Sequence, residues 1–170
     1  MTLPQRVLTA AEAAGVRLAL AESITGGALA STLVDVPGAS KVLLGSIVAY
    51  DTSAKNGILG VSRSLLTMQG AVDPEVAAQM ATGAAEKFAG ALGESADAVL
   101  GVATTGVAGP DPQDGKPVGL AYVALALGAR IEVHELQLEG DRATIRDSVT
   151  LQALGLILEF LGIQEVHSEL

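Results

Sequence analysis

Apolar residues at Leu3, Val7, Leu8 and Ala11 recur at helical spacing, and Gly15 ends that helix before a mostly apolar run, Val16 to Ala21, that reads as a strand. A second helix is expected from Thr25 or Gly26 to about Val34. After the Pro37-Gly38 loop, Val42 to Tyr50 reads as a second strand, and Asp51-Thr52-Ser53 offers N-cap candidates for a short helix carrying Lys55. Asp73-Pro74-Glu75 opens a long Ala-rich helix to about Leu92, with Asp73 as N-cap and Pro74 at the first helical position. Ala96 to Thr104 follows as a buried strand. Three prolines and three glycines between Gly106 and Pro117 impose an irregular loop. Val118 to Leu127 and Arg130 to Leu138 are two further strands, joined so tightly at Gly128-Ala129 that only an antiparallel hairpin is feasible. A last helix starts near Gly140-Asp141 and runs to about Leu161.

Alternating strands and helices predict an α/β sandwich whose first three strands are parallel, with the hairpin making the sheet mixed. No internal repeat, low-complexity segment or linker interrupts the 170 residues, so one domain spanning 1–170 is expected.

Composition narrows the function classes. Aromatic residues make up 2% of the chain and Trp is absent, which removes the stacking platforms of single-strand binders. A formal charge of -9 without a Lys/Arg cluster further disfavours nucleic acid as a partner. Cys is absent, and the two histidines, His134 and His167, lack ligand spacing, so no metal or other cofactor is expected. The most apolar stretch, Val118 to Ala129, is too short to span a bilayer, and the N-terminus has no signal-peptide core. A cytoplasmic protein without a membrane partner is the expectation. The Ala-rich helix, with few charges, makes a homodimer the expected assembly.

Functional groups in an open parallel sheet gather at the carboxyl ends of the strands. Ser23, in Ala-Glu-Ser-Ile-Thr-Gly-Gly, follows the first strand; Tyr50 and Lys55 follow the second; Thr105, Gly106 and Gly109 follow the third. The hairpin returns the chain to the same edge, bringing Arg142 and Arg146 there. Taken singly, each has a plainer reading. Ser23 suits a turn or cap, Lys55 a solvated helix face, and Tyr50 a strand-end core position. Arg142 and Arg146 are as well placed to pair with Asp141 and Asp147 as to hold a ligand, and single glycines commonly serve turns. Convergence of four separated segments on one cleft is what points to an anion-binding catalytic site.

The ordered motifs AESITGG, AYDTSAKNGILGVS, TTGVAGP with KPVG, and EGDRATIR resemble the CinA C-terminal domain family from Leu18 to Leu161. The resemblance implies a three-layer α/β/α fold and, for members that act alone, hydrolysis of the carboxamide of nicotinamide mononucleotide (NMN) to nicotinate mononucleotide and ammonia. It also implies Ser23, Tyr50 and Lys55 as catalytic residues and Arg146 as the arginine meeting the substrate. The sequence departs from the family pattern at Ile24, where Cys is frequent, at Asp73, where Ser is frequent, and at Asp111 to Gly115, which replaces a Gly-rich run.

This chemistry suits a serine hydroxyl activated without metal. With no suitably placed His, a lysine can take its proton if burial lowers the lysine's pKa, which makes Lys55 the candidate base and Tyr50 its positioner or proton relay. N–H groups at Thr25, Gly26 and Gly27 would stabilise an oxyanion or hold a phosphate; the sequence leaves the two roles open. A catalytically silent nucleotide-binding module and a plain oligomerisation domain are the rival readings.

Overall fold

The computed structural model describes residues 1–163; His167 lies outside them. In chain order the elements are α1 (Leu3–Ala13), β1 (Arg17–Glu22), α2 (Ala28–Val34), β2 (Leu43–Val48), α3 (Thr52–Gly57), α4 (Arg63–Gln69), α5 (Pro74–Leu92), β3 (Val99–Gly106), β4 (Leu120–Leu127), β5 (Arg130–Gln137) and α6 (Arg142–Phe160). The strands form one open sheet in the order β2-β1-β3-β4-β5. β1 pairs in parallel with both β2 and β3, whereas β4 is antiparallel to its neighbours β3 and β5. β4 alone therefore runs against the rest, giving a mixed, mainly parallel sheet with the expected hairpin. Helices cover both faces.

Side-chain alternation along β1 decides what each face can hold. Leu18 and Leu20 join Leu100 and Val102 of β3 in a core with α1, α2 and α6, whereas Ala19 and Ala21 join Ala103 in a second core against α5. Small residues on the second face let α5 lie very close. An added Cβ at Gly101 of β3 would stand 1.9 Å from the Ala81 carbonyl oxygen of α5, so a glycine is the side chain that fits there. The Ala-rich face of α5, which raised the expectation of a homodimer, is consumed by this contact: Val76, Ala77, Met80, Ala81 and Ala84 are fully buried against the sheet.

α5 starts as its sequence dictates, with the Asp73 carboxylate accepting from the amides of Glu75 (2.9 Å) and Val76 (3.3 Å) and Pro74 in the first turn. Several boundaries and one element differ from expectation. α2 begins at Ala28 and not at Thr25 or Gly26, because Gly26 and Gly27 adopt φ of 60° and 100° and form a turn instead. Ala96–Ala98 is a short 3-10 turn ahead of β3. α4 is an element that the hydrophobic pattern does not announce, capped by Ser62 and stopped by Gly70. Among the described residues no helix is long and apolar enough to cross a membrane.

Candidate active site

The same alternation sends consecutive residues after β1 to opposite faces. Glu22 continues the Leu18–Leu20 side and lies beneath the start of α2; Ser23, whose amide extends the ladder to the Thr104 carbonyl (2.9 Å), turns to the other side. Ser23 is buried there.

α3 delivers Lys55 to Ser23. Asp51 caps α3 through the Ser53 amide (2.7 Å), and the helix aims the fully buried Lys55 back under the end of β2. Lys55 Nζ donates to Ser23 Oγ (2.9 Å), to the Ala49 carbonyl (2.7 Å) and to the Tyr50 carbonyl (3.2 Å). Three oxygens satisfy the three donors of an ammonium group. Burial nevertheless disfavours the charged form and lowers the Lys55 pKa to about 8, against a small opposing pull from Asp51. A buried amine that loses its proton within reach of neutral pH, in contact with a hydroxyl, can accept that hydroxyl's proton.

Tyr50 enters this arrangement through its main chain. β2 ends at Val48, and the Tyr50 side chain is 63% exposed, so it is neither a core residue nor in contact with Lys55 through its phenol. The phenol oxygen accepts from Arg142 Nη2 (2.9 Å), and Arg142 Nη1 donates to the Gly109 carbonyl (2.7 Å). Arg142 therefore links the end of β2 to the loop after β3. Ser23, Tyr50, Lys55, Thr105, Gly106, Gly109 and Arg142 all line one cleft, together with Asp111 and Gln113 of the irregular loop. Thr105 fixes one wall by donating to the Ala71 carbonyl (2.7 Å), and Lys116 ties the loop to the Val72 carbonyl (2.8 Å).

Thr25, Gly26, Gly27 and Arg146 stand elsewhere. The start of α2 is not open to a substrate anion, because the buried Glu22 carboxylate already fills it. Glu22 Oε2 accepts from the Thr25 hydroxyl (2.7 Å) and the amides of Gly27 (2.9 Å) and Leu29 (3.0 Å), and Oε1 from the Ala30 amide (3.0 Å) and the Ser46 hydroxyl (2.9 Å). The Thr25 hydroxyl also meets that of Thr104 at 2.8 Å. Placing a phosphate on the Gly26-Gly27 amides is thus corrected: the protein supplies its own anion there. Arg146 donates to the Ile24 carbonyl (Nε, 3.0 Å) and the Thr25 carbonyl (Nη2, 2.9 Å), not to Asp147. Glu22 and Thr104 escape sequence reading, although one signal was available: a lone carboxylate on the apolar face of a buried strand needs partners.

Comparison with known proteins follows the same outline. The family model for the CinA C-terminal domain matches residues 1–161. The chain belongs to this family. A CinA-like protein of Frankia casuarinae is 45% identical over 145 residues, which cover 85% of this chain and 32% of that protein. The chain spans about a third of the length of the curated relatives it matches. Among solved structures, a CinA superfamily protein from Klebsiella pneumoniae has a TM-score of 0.86 at 29% identity, covering 95% of this chain and 97% of that one. The competence/damage inducible protein CihA from Agrobacterium tumefaciens has a TM-score of 0.83 at 34% identity, covering 94% and 93%. The α/β fold of this chain is thus that of the CinA superfamily.

Proposed function

We propose that this CinA-type domain is a nicotinamide-nucleotide amidase that hydrolyses the carboxamide of NMN through an acyl-serine intermediate. The supporting observation is the 2.9 Å contact between Lys55 Nζ and Ser23 Oγ inside a cleft at the carboxyl ends of the parallel strands. Ser23 Oγ attacks the carboxamide carbon while its proton passes to Lys55 Nζ. Collapse of the tetrahedral adduct breaks the C–N bond, and the departing nitrogen takes that proton and leaves as ammonia. Lys55 then takes a proton from a water whose oxygen adds to the acyl carbon; the C–Oγ bond breaks, Lys55 returns that proton to Ser23 Oγ, and nicotinate mononucleotide leaves with both residues regenerated. The carbonyls of Ala49 and Tyr50 hold the amine on the serine throughout. Arg142, on the cleft wall, supplies the cation for the 5′-phosphate, and the setting is cytoplasmic recycling of pyridine nucleotides.

The test is incubation of the purified protein with NMN, with ammonia and the deamidated nucleotide both measured, in the presence and absence of excess chelator. Equal, Ser23-dependent rates are expected. NMN binding without ammonia release would instead make the domain a nucleotide-binding module.

A further inference from the structure

Arg146 sits one helical turn beyond Arg142 on α6, yet its hydrogen bonds point into the protein. Its two bonded nitrogens reach the carbonyls of Ile24 and Thr25, the two residues that directly follow Ser23, across 122 and 121 positions of sequence. Around them the other polar groups of the turn are also tied. The Ser23 amide donates to Thr104, the Gly26 amide donates back to the Ser23 carbonyl (3.2 Å), and the Thr25 hydroxyl is held by Glu22. A guanidinium presents its donors in one rigid plane, so two carbonyls held by Nε and Nη2 are fixed relative to each other and to α6.

We propose that Arg146 is a positioning residue for Ser23: by clamping the Ile24 and Thr25 carbonyls it holds the serine hydroxyl against Lys55, and it does not bind substrate. Without it, the Ile24 carbonyl loses its partner, the Thr25 carbonyl keeps only the Ala28 amide (3.1 Å), and the turn bearing the nucleophile is no longer tied to α6. A displacement of about 1 Å at a reacting centre costs on the order of 100-fold in rate. The phosphate of the substrate is left to Arg142. The kinetic half of this inference rests on the amidase reading; the labelling half does not.

An alkyl fluorophosphonate reports directly on the serine. Ser23 Oγ bonds to phosphorus, the P–F bond breaks, fluoride leaves, and the serine proton passes to Lys55. Mass spectrometry of wild type and Arg146→Ala should show labelling at Ser23 slowed on the order of 100-fold in the variant, with added guanidinium ion restoring much of the rate. Arg146→Lys, which keeps the charge and one point donor, should fall between them, and it carries the test if the alanine variant does not fold. Labelling of the variants at the wild-type rate would overturn the proposal. With NMN and nicotinamide riboside as substrates, Arg146→Ala should lower kcat on both alike and leave their kcat/KM ratio unchanged. Collapse of that ratio with kcat intact would make Arg146 a phosphate ligand and also overturn it. A wild type that labels at Ser23 but does not turn over NMN sinks only the amidase reading; one that does neither sinks both.

Discussion

Lys55 Nζ lies 2.9 Å from Ser23 Oγ, although the two residues are 32 positions apart and stand on different elements, one on α3 and one just past β1. Burial brings the Lys55 pKa to about 8. Only the neutral amine accepts a proton, so kcat/KM for NMN should rise about tenfold per unit as pH climbs toward 8 and level off above it. A profile that is flat from pH 6 to 9 would take Lys55 out of the proton transfer.

Removing either partner should stop turnover. Ser23→Ala loses the nucleophile and one small hydroxyl, so folding and NMN binding persist while kcat falls. Activity above about a tenth of wild type, a barrier change under ~1.4 kcal/mol, would show that Ser23 is not the nucleophile. Lys55→Arg should be nearly as damaging, since a guanidinium does not release its proton at usable pH.

The same buried amine leaves a mark on stability. Lys55 has a folded pKa of about 8 against an ordinary value of 10.5, so between those values the unfolded chain binds more protons than the folded protein. Stability contributed by this group therefore increases as pH rises through that window. Thermal unfolding of wild type and Lys55→Met should show their Tm difference shifting in favour of wild type from pH 8 to 10.5 and staying level below 8. A constant difference across the window would mean that Lys55 titrates as an exposed lysine does.

Glu22 satisfies five donors in a fully buried position. Glu22→Ala orphans the Ser46 hydroxyl and three amides at the start of α2 and leaves the Thr25 hydroxyl with Thr104 alone, which should cost about 3–5 kcal/mol in denaturant unfolding. A loss below ~1 kcal/mol would mean that water replaces the carboxylate without penalty.

Phosphate recognition should be read by Arg142. Nicotinamide riboside, with the same amide and no phosphate, is expected to be a far poorer substrate than NMN. Arg142→Ala should shrink that difference mainly by weakening NMN, and steady-state kinetics of both compounds on both proteins checks it. Equal kcat/KM for the two substrates on wild type would refute phosphate recognition in this cleft.

Local patterns carried most of the fold. Helical spacing, the Asp73-Pro74 start and the tight Gly128 turn specify their elements through interactions a few residues long, and the sheet order follows from how such elements pack. α4 lacked such a pattern: seven residues with Leu66 alone buried leave too little periodicity to see. At the site, Ser23, Lys55 and Arg142 could be gathered to one edge from topology. The direction of the Tyr50 phenol could not, because strand alternation ceases to govern beyond Val48. The occupancy of the α2 start was hidden for a related reason: Ser46 and Thr104 reach the Glu22 network from neighbouring strands, and a sequence shows no such pairing.

The Arg146 clamp also sets when in folding the serine becomes competent. β1 and its turn are made near the start of the chain, whereas the guanidinium that ties down Ile24 and Thr25 arrives with α6, more than a hundred residues later. Contacts of such separation form late, since a large loop must close before they stabilise anything. In a chain growing from its N-terminus, the Ile24 and Thr25 carbonyls therefore wait for α6 to be made before the clamp can close.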